Sequence, residues 1–289
     1  MKRLAVASIP LFSVCALVLT SCSPADIGKA ANIFKRTQPI ATKGAKALRP
    51  LTLDEEKELG GTVACVVISK FGVVRDRAAT DYVNHVAVTV ASYRERASLP
   101  PRVLILNTDM PNAFACPGGY MFVTRGLLKL CRDESELAGV LGHEFTHVSE
   151  KHTMKKLKTA SGTSFVVEAG TALAGQDKNA LVQGLSKLVD KVAAQVLNNN
   201  HGREAEVEAD LTGAEIAAMA GYDGEGLGRL VERMPATGPT SAWKENFGKY
   251  KSGETRGQMI RKVIEKKGLG GGARNAARYK RELARILGS

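Results

Sequence analysis

The stretch His143-Glu144-Phe145-Thr146-His147 constrains the fold of this chain more than any other part of the sequence. An α-helix brings residues four apart to the same face, so a helix here aims both imidazoles at one point. Imidazole nitrogen is a preferred zinc ligand, and Glu144 can reach a water at the metal as a general base. The alternative is an accidental spacing of core or surface histidines. The pattern favours a zinc site on a helix.

The residues around this motif are typical of a buried helix. Asp133 can cap the start of the helix, with Glu136 three residues further on. Gly142 lowers helix propensity and predicts that another element packs closely at this point. Apolar residues stand on all sides of the predicted helix, as expected for burial: Leu137, Val140, Leu141, Phe145 and Val148.

A further histidine, His152, follows the motif by five residues. On a continuous helix it lies about 140° around the axis from His147, so we predict that it points away from the metal and is structural. The metzincin pattern needs a glycine and a third histidine where Glu150 and Thr153 stand. That class of metallopeptidase is therefore excluded.

The third metal ligand is predicted on a second, charged helix at residues 203–210. On a helix, Arg203, Glu206 and Asp210 share one face, which makes Glu206 the best ligand. Asp210 can then accept the outer ring N–H of a ligating histidine, while Arg203 can pair with a carboxylate. The alternative is a solvated charged helix. The glutamates that compete with Glu206 point elsewhere: Glu204 and Glu208.

Three blocks of the sequence, residues 112–128, 136–147 and 202–210, resemble the gluzincin zinc metallopeptidases, the family that includes the CAAX prenyl proteases and HtpX and has a periplasmic lipoprotein branch. The similarity runs from about residue 51 to about residue 234. It implies one zinc ion per chain and a zincin-like domain in which the edge strand of a small sheet borders the cleft. It implies these roles: ligands His143, His147 and Glu206, base Glu144, and substrate-binding residues Asn112, Ala113, Phe114 and Ala115.

The chain departs from this family near its C-terminus. Lipoprotein relatives usually carry a Ser/Thr-His-Pro step there, whereas residues 249–256 contain no histidine. Tyr250 and Arg256 are the candidates for a side chain that donates a hydrogen bond to the oxyanion formed during peptide hydrolysis. The alternative is that both are surface residues and that the metal suffices.

The N-terminus predicts export and lipid attachment. Two basic residues and an apolar run at positions 4–18 precede Leu19-Thr20-Ser21-Cys22. This layout is typical of a signal peptide, residues 1–21, that ends in a bacterial lipobox, so Cys22 is expected to be lipidated. A retained transmembrane anchor is the alternative, but the run is short and contains a proline. Ser23 is not the aspartate of inner-membrane retention, which favours the periplasmic face of the outer membrane.

The formal net charge is +12, and loss of the signal peptide removes two of these positive charges. Basic residues crowd the tether, residues 22–50, and residues 249–285. Such patches can contact anionic lipid, so the membrane is a predicted partner through Cys22 and through the basic surface. A merely solvated surface is the alternative. No stacking motif accompanies the charge, and nucleic acid is not expected as a partner.

The pattern after the tether predicts an α+β, mainly helical fold: a metallopeptidase domain at residues 51–267, then a glycine hinge and a basic helix at residues 268–289. Cys65, Cys116 and Cys131 allow at most one disulfide. The predicted elements are helices at 54–70, 75–97 and 273–287, strands at 103–106, 113–115 and 120–124, and a helical excursion at 159–198 that is a candidate lid.

The predicted function is zinc-dependent endoproteolysis of unfolded or misassembled cell-envelope proteins. The alternative is a binding module, namely a latent or non-catalytic chaperone or assembly factor of the envelope. A structural zinc site normally has four protein ligands and needs no glutamate base, whereas this chain offers three ligands and Glu144. The sequence therefore favours the enzyme.

Overall fold

A computed structural model of the protein describes residues 51–93, 99–157, 178–198, 201–234 and 255–288. The predictions for residues 1–50, including Cys22, and for Tyr250 lie outside these ranges. The helices are α1 (Leu53–Phe71), α2 (Arg77–Ala91), α3 (Arg125–Leu130), α4 (Glu134–Ser149), α5 (Lys178–Asn198), α6 (Arg203–Met219), α7 (Gly226–Arg233), α8 (Arg256–Lys266), α9 (Ala276–Glu282) and α10 (Ala284–Leu287). In the described ranges, no helix has both the length and the apolar character needed to cross a membrane.

The described residues form one small sheet of three strands, β1 (Arg102–Leu106), β2 (Ala113–Ala115) and β3 (Tyr120–Thr124), in the order β1-β3-β2. Strand β1 runs parallel to β3, with Arg102 opposite Tyr120. Strand β2 runs antiparallel to β3, with Phe114 opposite Phe122, and it forms an edge of the sheet. The predicted mainly helical α+β class and its three strands are confirmed.

Both faces of the sheet are covered, because side chains alternate between the faces along each strand. Ala113 and Ala115 pack in the cluster that contains helices α2 and α4. Phe114 and Phe122 pack in a second cluster with helices α1 and α5. The edge strand is therefore held between the metal-motif helix on one side and the excursion helix on the other.

Helices α4 and α6 meet at two glycines. A Cβ atom on Gly142 would lie 2.4 Å from the carbonyl oxygen of Gly213, and a Cβ atom on Gly213 would lie 2.4 Å from the backbone nitrogen of His143. Only glycine fits such a contact, which confirms the close packing predicted from Gly142. Glu206 and Asp210, two turns and one turn before Gly213, are thereby brought beside His143.

The C-terminal part differs from the prediction of one basic helix. The chain turns at Leu283 (φ −107°, ψ 14°), which separates α9 from α10. Leu283 is fully buried, so the turn lets this side chain enter the core while the basic residues stay outside. Helices α7 and α8 were not predicted. The three described cysteines, Cys65, Cys116 and Cys131, are free thiols. The predicted domain boundaries stay predictions.

Candidate metal centre

The three predicted ligands meet at one point between helices α4 and α6. The Nε2 atoms of His143 and His147 lie 3.0 Å apart. The Oε2 atom of Glu206 lies 3.5 Å from the first of these nitrogens and 3.7 Å from the second. Four ligands placed tetrahedrally around zinc at about 2.1 Å are about 3.4 Å from one another. Among the described residues, this is the one group of three or more His, Cys, Asp or Glu side chains arranged for a metal ion.

The sequence produces this arrangement locally. The side chain of Asp133 accepts a hydrogen bond from the backbone N–H of Glu136 at 3.0 Å, which caps helix α4 as predicted. From that cap, His143 and His147 stand one helical turn apart on the same side of α4. Both histidines are buried, with residue exposures of 1% and 2%.

Asp210 holds the ring of His143. Its Oδ1 atom accepts a hydrogen bond from Nδ1 of His143 at 2.9 Å, which turns Nε2 toward the other ligands. Burial alone would lower the pKa of His143, but Asp210 and Glu206 raise it to about 9. Since a metal binds the neutral ring, metal binding here has to displace a proton.

The guanidinium that neutralises Asp210 belongs to Arg256, not to Arg203. Nε of Arg256 donates to Oδ2 of Asp210 at 2.5 Å, Nη2 donates to Oδ1, and Arg256 is 4% exposed. Burial raises the pKa of Asp210, but Arg256 and His143 outweigh it and keep this pKa low. Arg203 is exposed on the first turn of α6. Arg256 therefore acts on the ligand group through Asp210, the residue that orients His143.

His152 lies outside the ligand group, as predicted, but it is not remote from it. Its Nδ1 atom is hydrogen-bonded to Nδ1 of His147 at 2.9 Å, and its Nε2 atom lies 3.3 Å from Oε2 of Glu208. The prediction that His152 points away assumed a continuous helix. In the structure α4 ends at Ser149, and Lys151 adopts a positive φ of 55°. His147 thus has its own orienting partner, which sequence reasoning missed.

Glu144 is fully buried, and neither of its carboxylate oxygens has a hydrogen-bond partner in the described part of the chain. Burial raises the pKa of Glu144 to about 7, although the nearby His143 opposes the shift. A group that accepts a proton in one step and returns it in another works best with a pKa near the working pH. The environment of Glu144 therefore suits a general base.

His201, which sequence reasoning also missed, precedes the start of α6 and stacks on His147. The ring centroids are 4.1 Å apart and the ring planes are inclined by 28°. Its backbone N–H donates to Oε1 of Glu206 at 3.3 Å, so the third ligand holds His201 in place. Burial lowers the pKa of His201 well below its ordinary value, which favours the neutral ring. No local pattern in the sequence marks this position.

The predicted substrate strand β2 presents backbone groups on the side away from β3. Cys116 donates its backbone N–H to Tyr120 O at 2.8 Å, and Thr124 donates to Asn112 O at 3.0 Å. Bonding direction alternates along an antiparallel strand, so the N–H and C=O groups of the alanines between these residues face outward.

The two alanines differ in one respect. The backbone N–H of Ala113 donates to Oδ1 of Asn112 at 2.9 Å. Ala115 borders a small cavity whose lining on the α4 side includes His147 and Val148. The edge strand β2 therefore lies beside helix α4 at Ala115. This alanine is the better position at which to test whether a peptide backbone binds along β2.

A metal-motif helix, a second helix with a third carboxylate, and a small sheet with its edge beside them define a zincin-like metallopeptidase domain. The chain belongs to peptidase family M48, whose sequence model matches residues 77–244. The matched range contains the two histidines, Glu144, Glu206 and Asp210. Arg256 lies beyond it.

Several curated proteins are similar to this chain. The mitochondrial metalloendopeptidase OMA1 of Schizosaccharomyces pombe is 27% identical over 70% of this chain and 59% of its own length. The beta-barrel assembly-enhancing protease of Escherichia coli is 23% identical over 75% of this chain and 45% of its own length. A protease HtpX homolog of Salinibacter ruber is 33% identical over 43% of this chain and 48% of its own length. The chain thus spans about half the length of the curated relatives it matches.

Proposed function

We propose that this protein is a zinc-dependent endopeptidase. The observation that carries the proposal is Glu144, a buried carboxylate without a partner among the described residues, beside three side chains spaced for a metal. A carboxylate left in this state is costly unless a ligand or a reaction uses it. Two imidazoles and one carboxylate with a neighbouring glutamate suit catalytic zinc, which keeps a coordination position for substrate or water.

In the proposed reaction, His143, His147 and Glu206 would hold the zinc ion, which would supply Lewis acidity and lower the pKa of water. The oxygen of water bonds to the scissile carbonyl carbon while Glu144 takes one of its protons. The carbon–nitrogen bond then breaks, and Glu144 returns that proton to the departing amine. Asp210 and His152 keep the two ligating rings oriented throughout.

The substrate is proposed to bind as an additional strand along β2, at Asn112, Ala113, Phe114 and Ala115. Backbone hydrogen bonds make such docking tolerant of sequence and demanding of an extended conformation. That property suits unfolded or misassembled proteins as substrates. One curated relative is named a beta-barrel assembly-enhancing protease, and we extend the proposal to misassembled proteins of the cell envelope.

The place of action is proposed to be the periplasmic face of the outer membrane, with lipidated Cys22 as the anchor. Exposed basic residues on the C-terminal helices support a second contact with anionic lipid: Lys266, Lys280, Arg281 and Arg285. Fractionation of cells that express Cys22→Ala tests the anchor. The variant is expected to leave the membrane fraction, and membrane recovery equal to the parent would contradict lipid attachment.

A second candidate, a latent or non-catalytic assembly factor, is favoured by one observation. The residues of the ligand group and its base are buried, and each is at most 4% exposed. A substrate reaches such a site only after neighbouring segments move. The latent protein and the working enzyme therefore differ in access to the site, not in its chemistry.

Cleavage of denatured casein by the purified protein separates the two candidates. We expect cleavage that a zinc chelator abolishes and added zinc restores. The alanine variant of His143, His147 and Glu206 together is expected to contain no stoichiometric zinc, whereas alanine at the exposed His85 should leave the zinc content unchanged. Zinc-loaded parent protein that leaves denatured substrates intact would favour the assembly factor.

A further inference from the structure

His201 differs from the other buried histidines of the described chain. His143, His147 and His152 each have a ring nitrogen within 3.3 Å of a partner. Both ring nitrogens of His201 are buried without a hydrogen-bond partner among the described residues, and the residue is only 6% exposed. A neutral imidazole carries one donor and one acceptor, and burying both unpaired is unfavourable. Such a group calls for a ligand.

The contacts of His201 indicate where such a ligand would bind. The ring rests on His147, while the backbone N–H is bonded to Oε1 of Glu206, whose other oxygen faces the two ligating histidines. Gly202, with a φ of 93°, forms the turn between His201 and the first residue of helix α6. His201 is thus held at the ligand group by its contacts with His147 and Glu206.

Of the two donors predicted from the sequence, Arg256 does not occupy this place. The guanidinium of Arg256 is bonded to both oxygens of Asp210, on the outer side of His143. Tyr250 lies outside the described residues. Glu144 is the other buried polar side chain at the ligand group that has no partner in the described ranges. An acceptor of protons and a donor of a hydrogen bond therefore stand beside the same three ligands.

We propose that His201 donates a hydrogen bond to the oxyanion that forms when water adds to the scissile carbonyl. This inference rests on the proposed peptidase activity. When the water oxygen bonds to the carbonyl carbon, the π electrons of the carbonyl move to its oxygen, and Glu144 takes the proton. His201 transfers no proton; its N–H stabilises the new charge and remains on the ring.

Two substitutions separate the contribution of the His201 ring from that of its N–H donor. His201→Phe keeps a ring against His147 and removes the N–H, whereas His201→Gln removes the ring and keeps an N–H. We expect kcat to fall by about 10²–10³ in His201→Phe, with KM and zinc content unchanged and a smaller loss in His201→Gln. The melting temperature of His201→Phe should equal or exceed that of the parent, because unpaired polar atoms have been removed. His85→Ala, an exposed histidine, is the control.

A phosphonamidate peptide, which imitates the tetrahedral anion, gives a readout other than turnover. Its affinity for the zinc-loaded protein should fall in His201→Phe by the same factor as kcat/KM, while affinity for a matched amide peptide stays constant. A ring needed only for packing predicts the reverse order, with His201→Phe near the parent and His201→Gln impaired. That order, equal losses in both variants, or loss of zinc would overturn the proposal.

The same experiments distinguish failure of the proposed peptidase function from failure of the inference about His201. If the parent protein and Glu144→Gln are equally inactive, the peptidase proposal fails, and the role proposed for His201, which rests on that activity, fails with it. A parent that does not bind the phosphonamidate also overturns the role of His201. If the parent is active and His201→Phe retains parental kcat and affinity, only the inference about His201 is lost.

Discussion

The buried carboxylates at the two ends of helix α4 differ in their hydrogen-bond partners. At the N-terminal end, Glu134 accepts hydrogen bonds from Tyr82 at 2.7 Å and from Nε of Arg278 at 2.6 Å. At the same end, Glu136 is bonded to Nη1 of Arg233 at 2.8 Å. At the C-terminal end, Glu144 has no such partner among the described residues. A paired buried charge organises the fold, whereas an unpaired one is kept at the expense of stability for a ligand or a reaction.

The largest expected effect is that of Glu144→Gln. The amide cannot take the proton of water, so cleavage of denatured substrate should fall by about 10²–10⁴-fold while zinc is retained. Because the change removes a buried charge without a partner, the melting temperature should equal or exceed that of the parent. Kinetics, metal analysis and thermal unfolding check these three results. Parental turnover would place the base elsewhere, and a large drop in melting temperature would mean that Glu144 stabilises the fold.

Asp210→Asn is expected to weaken zinc binding by about 10–100-fold, because the outer ring N–H of His143 loses a charged acceptor. The amide also leaves Arg256 without a compensating charge. Competition with a chelator of known affinity measures the loss. Zinc affinity equal to that of the parent would show that the hydrogen bond between His143 and Asp210 does not support the ligand.

Glu134→Gln tests the other end of α4, and it should lower the free energy of unfolding at pH 7 by about 1.5–3 kcal/mol. Burial alone would raise the pKa of Glu134, but Arg278 and Tyr82 outweigh it and keep the pKa below 4.5. A lowered folded-state pKa gives stability that is present above the unfolded value and is lost as the pH falls through the folded value. The difference between variant and parent should therefore shrink below pH 4.5; an unchanged difference in acid would contradict the charge pairing.

Arg203→Gln is expected to have the smallest effect, with zinc affinity unchanged and stability within about 0.5 kcal/mol of the parent. The matched change Arg256→Gln should weaken zinc binding, since it removes the partner that holds Asp210. Zinc titration of the two variants side by side makes the comparison. If Arg203→Gln shows the larger loss, the exposed arginine supports the site more than the buried one, which contradicts the expected order.

Much of the site was predictable because it depends on helical periodicity. The four-residue spacing of His143 and His147, and the shared face of Glu206 and Asp210, follow from local geometry. The strands were predictable from short apolar runs bounded by turn residues. Arg203 satisfied the same periodic rule as Asp210, yet it is exposed, because periodicity identifies a face and not the neighbour that covers it.

The sequence by itself determined the elements and the chemical groups: a capped helix with two histidines and a glutamate, a charged helix, and a short edge strand. Tertiary structure alone decided that Arg256, 46 residues from Asp210, pairs with it, and that His201 rests on His147. It also decided that His152 turns back onto His147, because the chain leaves the helix at Lys151. Local rules describe residues within one or two turns, whereas these contacts depend on the packing of α6 against α4, on the packing of α8 against α6, and on one non-helical residue.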